Sequence, residues 1–153
     1  MSKTNAFELG ILQLVLQNAD LAAIGDATGL RGSSTAGSYY IALCDADPGE
    51  GGDLVNNEID SAAVYTQYTR VAVARNGTEW VTDGGNGLQN GNAVTFPKMT
   101  SGTNVTATHF AICKAGTAKV DDAIYSEALN SSLLISANVT PSFAAGALVV
   151  TEG

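Results

Sequence analysis

A mainly β chain, an antiparallel sandwich or jelly-roll-like domain preceded by an N-terminal amphipathic helix, is predicted by three features of the sequence. Apolar and polar residues alternate with period two through a series of short segments. The pairs Asn76-Gly77, Asn86-Gly87 and Asn90-Gly91 punctuate them, and such pairs tolerate the positive φ of hairpin turns. A helical period occurs near the N-terminus, and no interior helix alternates with the strands as a parallel βαβ fold requires.

The helix is expected within "NAFELGILQLVLQNADLAAIG". Phe7, Ile11, Leu14 and Val15 recur at helical spacing, and Leu9, Leu12 and Leu16 widen the stripe. Asn5 and Glu8 have the spacing of a capping box, and Asn18 and Asp20 suit the start of a second short turn. A stripe so wide needs a cover, either the sheet or another subunit. Residues 25–38, "GDATGLRGSSTAGS", read as a loop or extended arm. Residues 1–38 therefore form a helix and arm, and residues 39–153 a β-sandwich, in one structural unit.

From "SYYIALC" (38–44) onward the period is two, with Tyr39, Ile41 and Leu43 on one face and Tyr40, Ala42 and Cys44 on the other. Further strands are expected in "YTRVAVARN" (68–76), "TEWVT" (78–82), "GNAVTFP" (91–97) and "NVTATHFAIC" (104–113). The remaining ones fall in "AIYSEAL" (123–129), "LLISANV" (133–139) and "SFAAGALVVT" (142–151). Repeats at solenoid spacing and heptad runs are missing from the sequence.

Composition narrows the function. A chain of 153 residues can bury roughly 70% of its unfolded surface as a single domain. Its net charge is -8, and its seven bases form no run, which disfavours a nucleic-acid partner, since that needs clustered Lys and Arg. No segment has the length of a membrane-spanning helix, and the N-terminus lacks the form of a signal peptide. Two cysteines, Cys44 and Cys113, fit a reducing compartment and read as small buried hydrophobes.

The densest polar chemistry is "LCDADPGEGGD" (43–53). Asp47-Pro48-Gly49-Glu50 fits a type II turn, with Pro setting φ at its second position and Gly supplying positive φ at its third. An EF-hand loop would want Gly sixth and Glu twelfth from Asp45, and those places hold Glu50 and Asn56. The acidic stretch continues through Asp53, Glu58 and Asp60; it reads as a solvated turn or a contact for a basic surface rather than a metal site. His109 is the lone histidine and reads as a half-buried strand residue. Cys113 lies four residues beyond it on the same strand, about 13 Å away and out of reach for a dyad. No catalytic, cofactor-binding or metal residue is assigned.

Several stretches in order, "FELGILQLVLQN", "IGDATGLRGSSTAGSYYIALCDADPGEGGD", "YTRVAVAR", "AVTFP", "THFAI", "IYSEAL" and "VTPSFAAGALVVTE", cover the chain from about Phe7 to Glu152. In this order they resemble a family of small tailed-bacteriophage virion proteins, often labelled phage tail fiber protein or virion structural protein. Where such proteins carry His-Thr-Ala-Asp-Pro-Gly-Glu, this chain has Cys44 through Glu50, which further disfavours metal or catalytic chemistry there. The resemblance implies a non-enzymatic virion component, made in the bacterial host cytoplasm. Its partners would be other virion proteins, the major capsid protein or tail proteins.

A fibre shaft needs repeats, coiled coil or a trimeric β-helix, and the sequence offers none of these. The leading expectation is therefore a capsid decoration or cement protein, assembling as a homo-oligomer. The alternative is a tail- or tail-fibre-associated adaptor or a receptor-facing protein. Contacts are expected through Phe7, Ile11, Leu12, Leu14 and Val15 of the helix, because exposed apolar stripes attract partners. Asp45, Asp47 and Glu50 of the acidic turn complete the expected interface.

Overall fold

The computed structural model describes residues 2–59 and 64–152; Asp60, the last of the acidic stretch, lies outside them. The chain is mainly β, with antiparallel sheets and a short N-terminal helix. Its residues gather into two compact units. The first holds Met1–Ser38, Ala74–Ala93 and Ala144–Gly153, and the second Tyr39–Val73 and Val94–Phe143.

In the first unit, helix α1 spans Asn5–Leu12 and continues as a π-helical turn over Gln13–Gln17. Thr4, not Asn5, is the N-cap, and its carbonyl accepts the Phe7 and Glu8 amides. The expected capping box does not form, because the Glu8 side chain is buried and accepts from Asn86 Nδ2 at 2.9 Å. Asn18 stops the helix in the left-handed conformation, φ 60°. A turn does follow at residues 22–23, but no bond from Asn18 or Asp20 caps it. Asn18 instead bonds both backbone groups of Ser33, and Asp20 accepts from Gly32 N. These bonds fold the arm back on itself, as do the paired backbones of Leu21 and Leu30. Asp26 closes its tip by accepting from Thr28 N, Thr28 Oγ1 and Gly29 N, bonds that hold its carboxyl below the usual range.

The same unit contains a three-stranded sheet. With β1 (Ser38–Cys44) and β2 (Val71–Ala74) preceding it, its strands are β3 (Trp80–Thr82), β4 (Leu88–Asn90) and β9 (Val149–Val150), in the order β3-β4-β9. Trp80, Leu88, Leu148 and Val150 are buried with Leu12 and Leu16. Asn90, 1% exposed, bonds three backbone groups: Nδ2 donates to the carbonyls of Asn92 and Ala144, and Oδ1 accepts from Leu148 N. Arg75 is the second organiser. Its Nε and Nη2 donate to the carbonyls of Val15 and Leu14, where the helix ends and carbonyls lack intrahelical partners, and its Nη1 reaches Ser33 and Ala36.

None of the three Asn-Gly pairs adopts positive φ. Asn76 Oδ1 instead accepts from Thr78 N and Glu79 N, Asn86 is spent on Glu8, and Asn90 on the bonds just described. At Asn76 the amide side chain supplies the turn bonds, whereas those of Asn86 and Asn90 reach distant segments.

The second unit is built on a four-stranded sheet in the order β2-β1-β6-β7. Here β6 is Val105–Cys113 and β7 is Ala123–Ile135. The two strands expected at 123–129 and 133–139 are one. Residues 129–132 bulge out where the register passes from His109↔Ala128 to Ala107↔Leu133, and the strand resumes beyond them. The central pair β1–β6 aligns Tyr40 with Cys113, Ala42 with Ala111 and Cys44 with His109 on one face, and Ile41 with Ile112 and Leu43 with Phe110 on the other. Both faces are buried from Ile41 to Cys44 and from Phe110 to Cys113. Leu54, from the single helical turn α2 (Leu54–Asn57), joins Ala42, Cys44, Ala111 and Cys113 in one cluster.

The small sheet of β5 (Val94–Thr95) and β8 (Ser142–Phe143) completes this unit. An aromatic row runs through Tyr65, Tyr68, Phe96 and Phe143, with ring centroids 5.5, 6.0 and 6.3 Å apart in succession. At Gly102, φ 129°, a Cβ would lie 2.1 Å from the Val64 carbonyl oxygen, so only glycine fits.

Candidate functional site

The acidic loop folds through a chain of local bonds that engage the carboxylates of Asp47 and Asp53. Gly49 takes φ 64°, as the turn requires, and Asp47 Oδ1 accepts its amide at 2.8 Å. Two further backbone bonds, Gly52 N to Gly49 O and Asp53 N to Pro48 O, wind the loop into α2. Asp53 caps that turn by accepting from Asn56 N and Asn56 Nδ2, which hold its carboxyl below the usual range. Asn57 Nδ2 returns to the carbonyls of Asp47 and Asp53. Asp45, Asp47 and Glu50 keep their side chains exposed. Among the described residues no three His, Cys, Asp or Glu side chains gather around a metal-sized space.

Glu58, at the end of the same stretch, has a different fate. With Arg70 and Asp122 it forms a buried ionic cage in which the side chains of all three are at most 3% exposed. Arg70 Nε and Nη2 meet the two Glu58 oxygens at 2.7 and 2.8 Å, and Nη1 meets Asp122 Oδ2 at 2.6 Å. The remaining donors go to the carbonyls of Ala115 and Ala118. All five guanidinium N–H groups thus have acceptors, which is the condition for a buried arginine. Asp122 Oδ1 accepts from Ala115 N, so the cage fastens the 114–122 connection between β6 and β7.

Tyr68 hydroxyl donates to Glu58 Oε1 and accepts Leu43 N; burial, then the Glu58 charge, pushes its phenol well above the usual range. The cage has no local signature in the sequence. Arg70 and Asp122 are 52 residues apart, and neither neighbourhood marks the other.

Beside the acidic turn lies a groove of about 370 Å³, with Asp47, Gly49, Glu50 and Gly52 on one side and residues 123–126 of β7 on the other. Its lining includes no lysine or arginine. Gly52 lets the turn approach the strand closely, since a Cβ there would meet Ala123 Cβ at 3.2 Å.

The expected helix interface divides by burial. Leu12 is fully buried, whereas Phe7, Ile11, Leu14 and Val15 are partly exposed. Leu14 and Val15 are also the residues whose carbonyls Arg75 holds.

Cys44 does stand opposite His109, a pairing that strand spacing alone could not foresee. The pair is poorly disposed for thiolate chemistry. Burial first, and then the Glu58 charge, pushes the Cys44 thiol up to about 12, and burial brings Cys113 to about 12 as well. Thr108 Oγ1 gives its proton to the Asp45 carbonyl, so at 2.9 Å His109 Nδ1 donates to that hydroxyl.

No curated protein matches the chain. The family model described as Podophage GP4 fiber I protein gp80 matches residues 21–151, which takes in both acidic turn and cage and every strand. That span is most of the sequence, and the chain belongs to this family of phage fibre-type virion structural proteins.

Proposed function

We propose that the chain is a structural subunit of a phage fibre assembly, joined to other virion proteins through its exposed surfaces and carrying out no catalysis. The family match over residues 21–151 carries this reading, and its fibre name favours the fibre role over the head decoration that the lack of shaft-forming repeats in the sequence suggests. The chemistry of the described residues supports the non-catalytic part. Both thiols are held in the neutral form, and the acids of the exposed turn are bonded into its backbone or left dispersed.

One observation keeps head decoration as the second reading. The longest described helix, α1 with its π turn, ends at Gln17, and the described residues of neither unit form a coiled coil or repeated blade from which a shaft could be drawn. The subunit would then act as a node or an adaptor, and a node suits a tail or a capsid. On either reading Phe7, Ile11, Leu14 and Val15 on α1, and Asp45, Asp47 and Glu50 on the turn, are the surfaces offered to neighbours, including further copies of the chain.

Gold-tagged antibody against the protein, applied to intact particles and viewed by electron microscopy, tests the assignment. Gold confined to the tail region, at a few copies per particle, is the expected result. Gold spread over the heads would replace the fibre reading with decoration, and unlabelled particles would remove both.

A further inference from the structure

We propose that Asn76 is a self-modification site. Its side-chain amide is lost by ring closure with the Gly77 backbone nitrogen, which leaves aspartate or isoaspartate on the exposed turn before β3 and spares Asn86 and Asn90 of the same dipeptide. The inference goes beyond the virion-subunit reading and does not depend on where in the particle the subunit sits.

Asn-Gly is the dipeptide in which this closure is least hindered, because glycine puts no Cβ beside the attacking nitrogen. Three copies in one chain separate the effect of the fold from that of the sequence. At Asn86 the fold occupies both reacting groups: Asn86 Nδ2 donates to Glu8 Oε2 at 2.9 Å, and Gly87 N donates to Asp83 Oδ1 at 3.2 Å. At Asn90, which is buried, the hold is tighter. Its Nδ2 donates to the carbonyls of Asn92 and Ala144, its Oδ1 accepts from Leu148 N, and Gly91 N donates to the Glu79 carbonyl at 2.7 Å. A backbone amide bonded in this way keeps its proton from solvent and cannot turn toward the side chain.

Asn76 differs at each point. Asn76, Gly77 and Thr78 are exposed, and among the described residues neither Gly77 N nor Asn76 Nδ2 has a hydrogen-bond partner. Asn76 Oδ1 accepts from Thr78 N and Glu79 N, both at 2.9 Å, which turns the carboxamide toward the 77–79 backbone. Those two N–H groups face the oxygen on which negative charge gathers during attack, an arrangement that stabilises an oxyanion. Hydroxide takes the Gly77 N proton, and the nitrogen bonds to Asn76 Cγ. The Cγ–Nδ2 bond then breaks, and Nδ2 takes a proton from water and leaves as ammonia. One water opens the resulting succinimide: attack at the former side-chain carbonyl gives aspartate, and attack at the main-chain carbonyl gives isoaspartate. One water enters and one ammonia leaves, and the chain of net charge -8 gains one negative charge. Aspartate keeps the oxygens that Thr78 N and Glu79 N need. Isoaspartate routes the chain through Cγ, so the Asn76 carbonyl that accepts Trp80 N at 3.1 Å becomes part of a free carboxylate.

The test ages the full folded chain in mildly alkaline buffer and follows positions 76, 86 and 90 in the same sample by peptide mapping with mass spectrometry. Isoaspartate is read by enzymatic methyl labelling. The chain held in denaturant supplies the rates that the dipeptide sets by itself. In the folded chain, conversion at 76 should run at least tenfold faster than at 86 and 90, with isoaspartate among its products. In denaturant the three rates should converge. Gly77→Ala is the control variant: a Cβ there meets nothing within 4 Å, so the melting temperature should hold while conversion at 76 falls at least tenfold.

A smaller lead for position 76 in the folded chain, or earlier conversion at 86 or 90, would overturn the proposal, since the turn bonds would then hold the carboxamide away from Gly77 N. Aspartate at 76 without isoaspartate, or a rate unchanged in Gly77→Ala, would overturn it in favour of direct hydrolysis. Should Gly77→Ala fail to fold, the order of the three sites and the isoaspartate content of the parent chain still decide.

Discussion

Arg70 is the residue whose removal should be felt most. Replacing it with Leu would leave Asp122 buried without its counter-charge and Glu58 with only the more distant Lys119, 3.8 Å away, and would release the carbonyls of Ala115 and Ala118. Truncating one partner of a buried ion pair costs about 3–5 kcal/mol, and a lowered urea midpoint at neutral pH is the expected readout. The thiols give a pH-dependent signature. An unfolded cysteine ionises near 9.0 and the folded Cys44 and Cys113 near about 12. The unfolded state therefore loses its protons first. The stabilisation from keeping both thiols neutral is whole below pH 9 and is withdrawn as pH rises toward 12. Stability measured between pH 8 and 11 should fall, and the fall should be shallower in the Cys44→Ala/Cys113→Ala variant. At pH 8 neither thiol of the folded chain should react with iodoacetamide, and both should react in denaturant.

Among the elements, α1 separates fold from contact. Leu12→Ala should destabilise the chain by about 2–5 kcal/mol, the range for emptying a buried leucine site. Phe7→Ser/Ile11→Ser, at partly exposed positions, should instead leave most of the stability and weaken particle incorporation, seen by quantitative immunoblot of purified phage. The helix itself was legible because its apolar residues recur every three or four positions, and β1 and β6 because of their alternation. Its ending was not, since the carbonyls of Leu14 and Val15 in the π turn are met by Arg75, which arrives from 60 residues away. β4 was missed for a related reason. Its three residues lie between two Asn-Gly pairs that look like turns, yet Asn90 is a strand residue bonded to the far segment 144–148. The hydrogen-bonded turn runs on from Pro48 and Gly49 to Gly52 and Asp53, but the positive φ of Gly49 was legible in Pro48-Gly49, whose backbone preferences are local. The cage and the groove were not, because each joins the 47–58 stretch to residues beyond 100. Local chemistry is written in the sequence, and long-range pairing is written only in the fold.

For the molecule as a whole, the two units come with separate optical labels. The lone tryptophan, Trp80, belongs to the first, and all five tyrosines, at 39, 40, 65, 68 and 125, belong to the second. The chain passes between the units four times, at 38/39, 73/74, 93/94 and 143/144. With the backbone so interleaved, thermal transitions followed by tryptophan fluorescence and by tyrosine near-UV circular dichroism should coincide, as cooperative unfolding requires; separate midpoints would show units that melt independently. The interleaving also bears on inheritance. The first unit draws on both ends of the chain, so a single recombination crossover anywhere inside the gene assembles that unit from two parents. The contacts of Lys3 with Glu152, Arg75 with Leu14 and Val15, and Asn90 with Ala144 would each be open to mismatch, depending on where the crossover fell. Phage lineages that exchange fibre genes by mosaic recombination should therefore pass this one on entire, with breakpoints concentrated outside it.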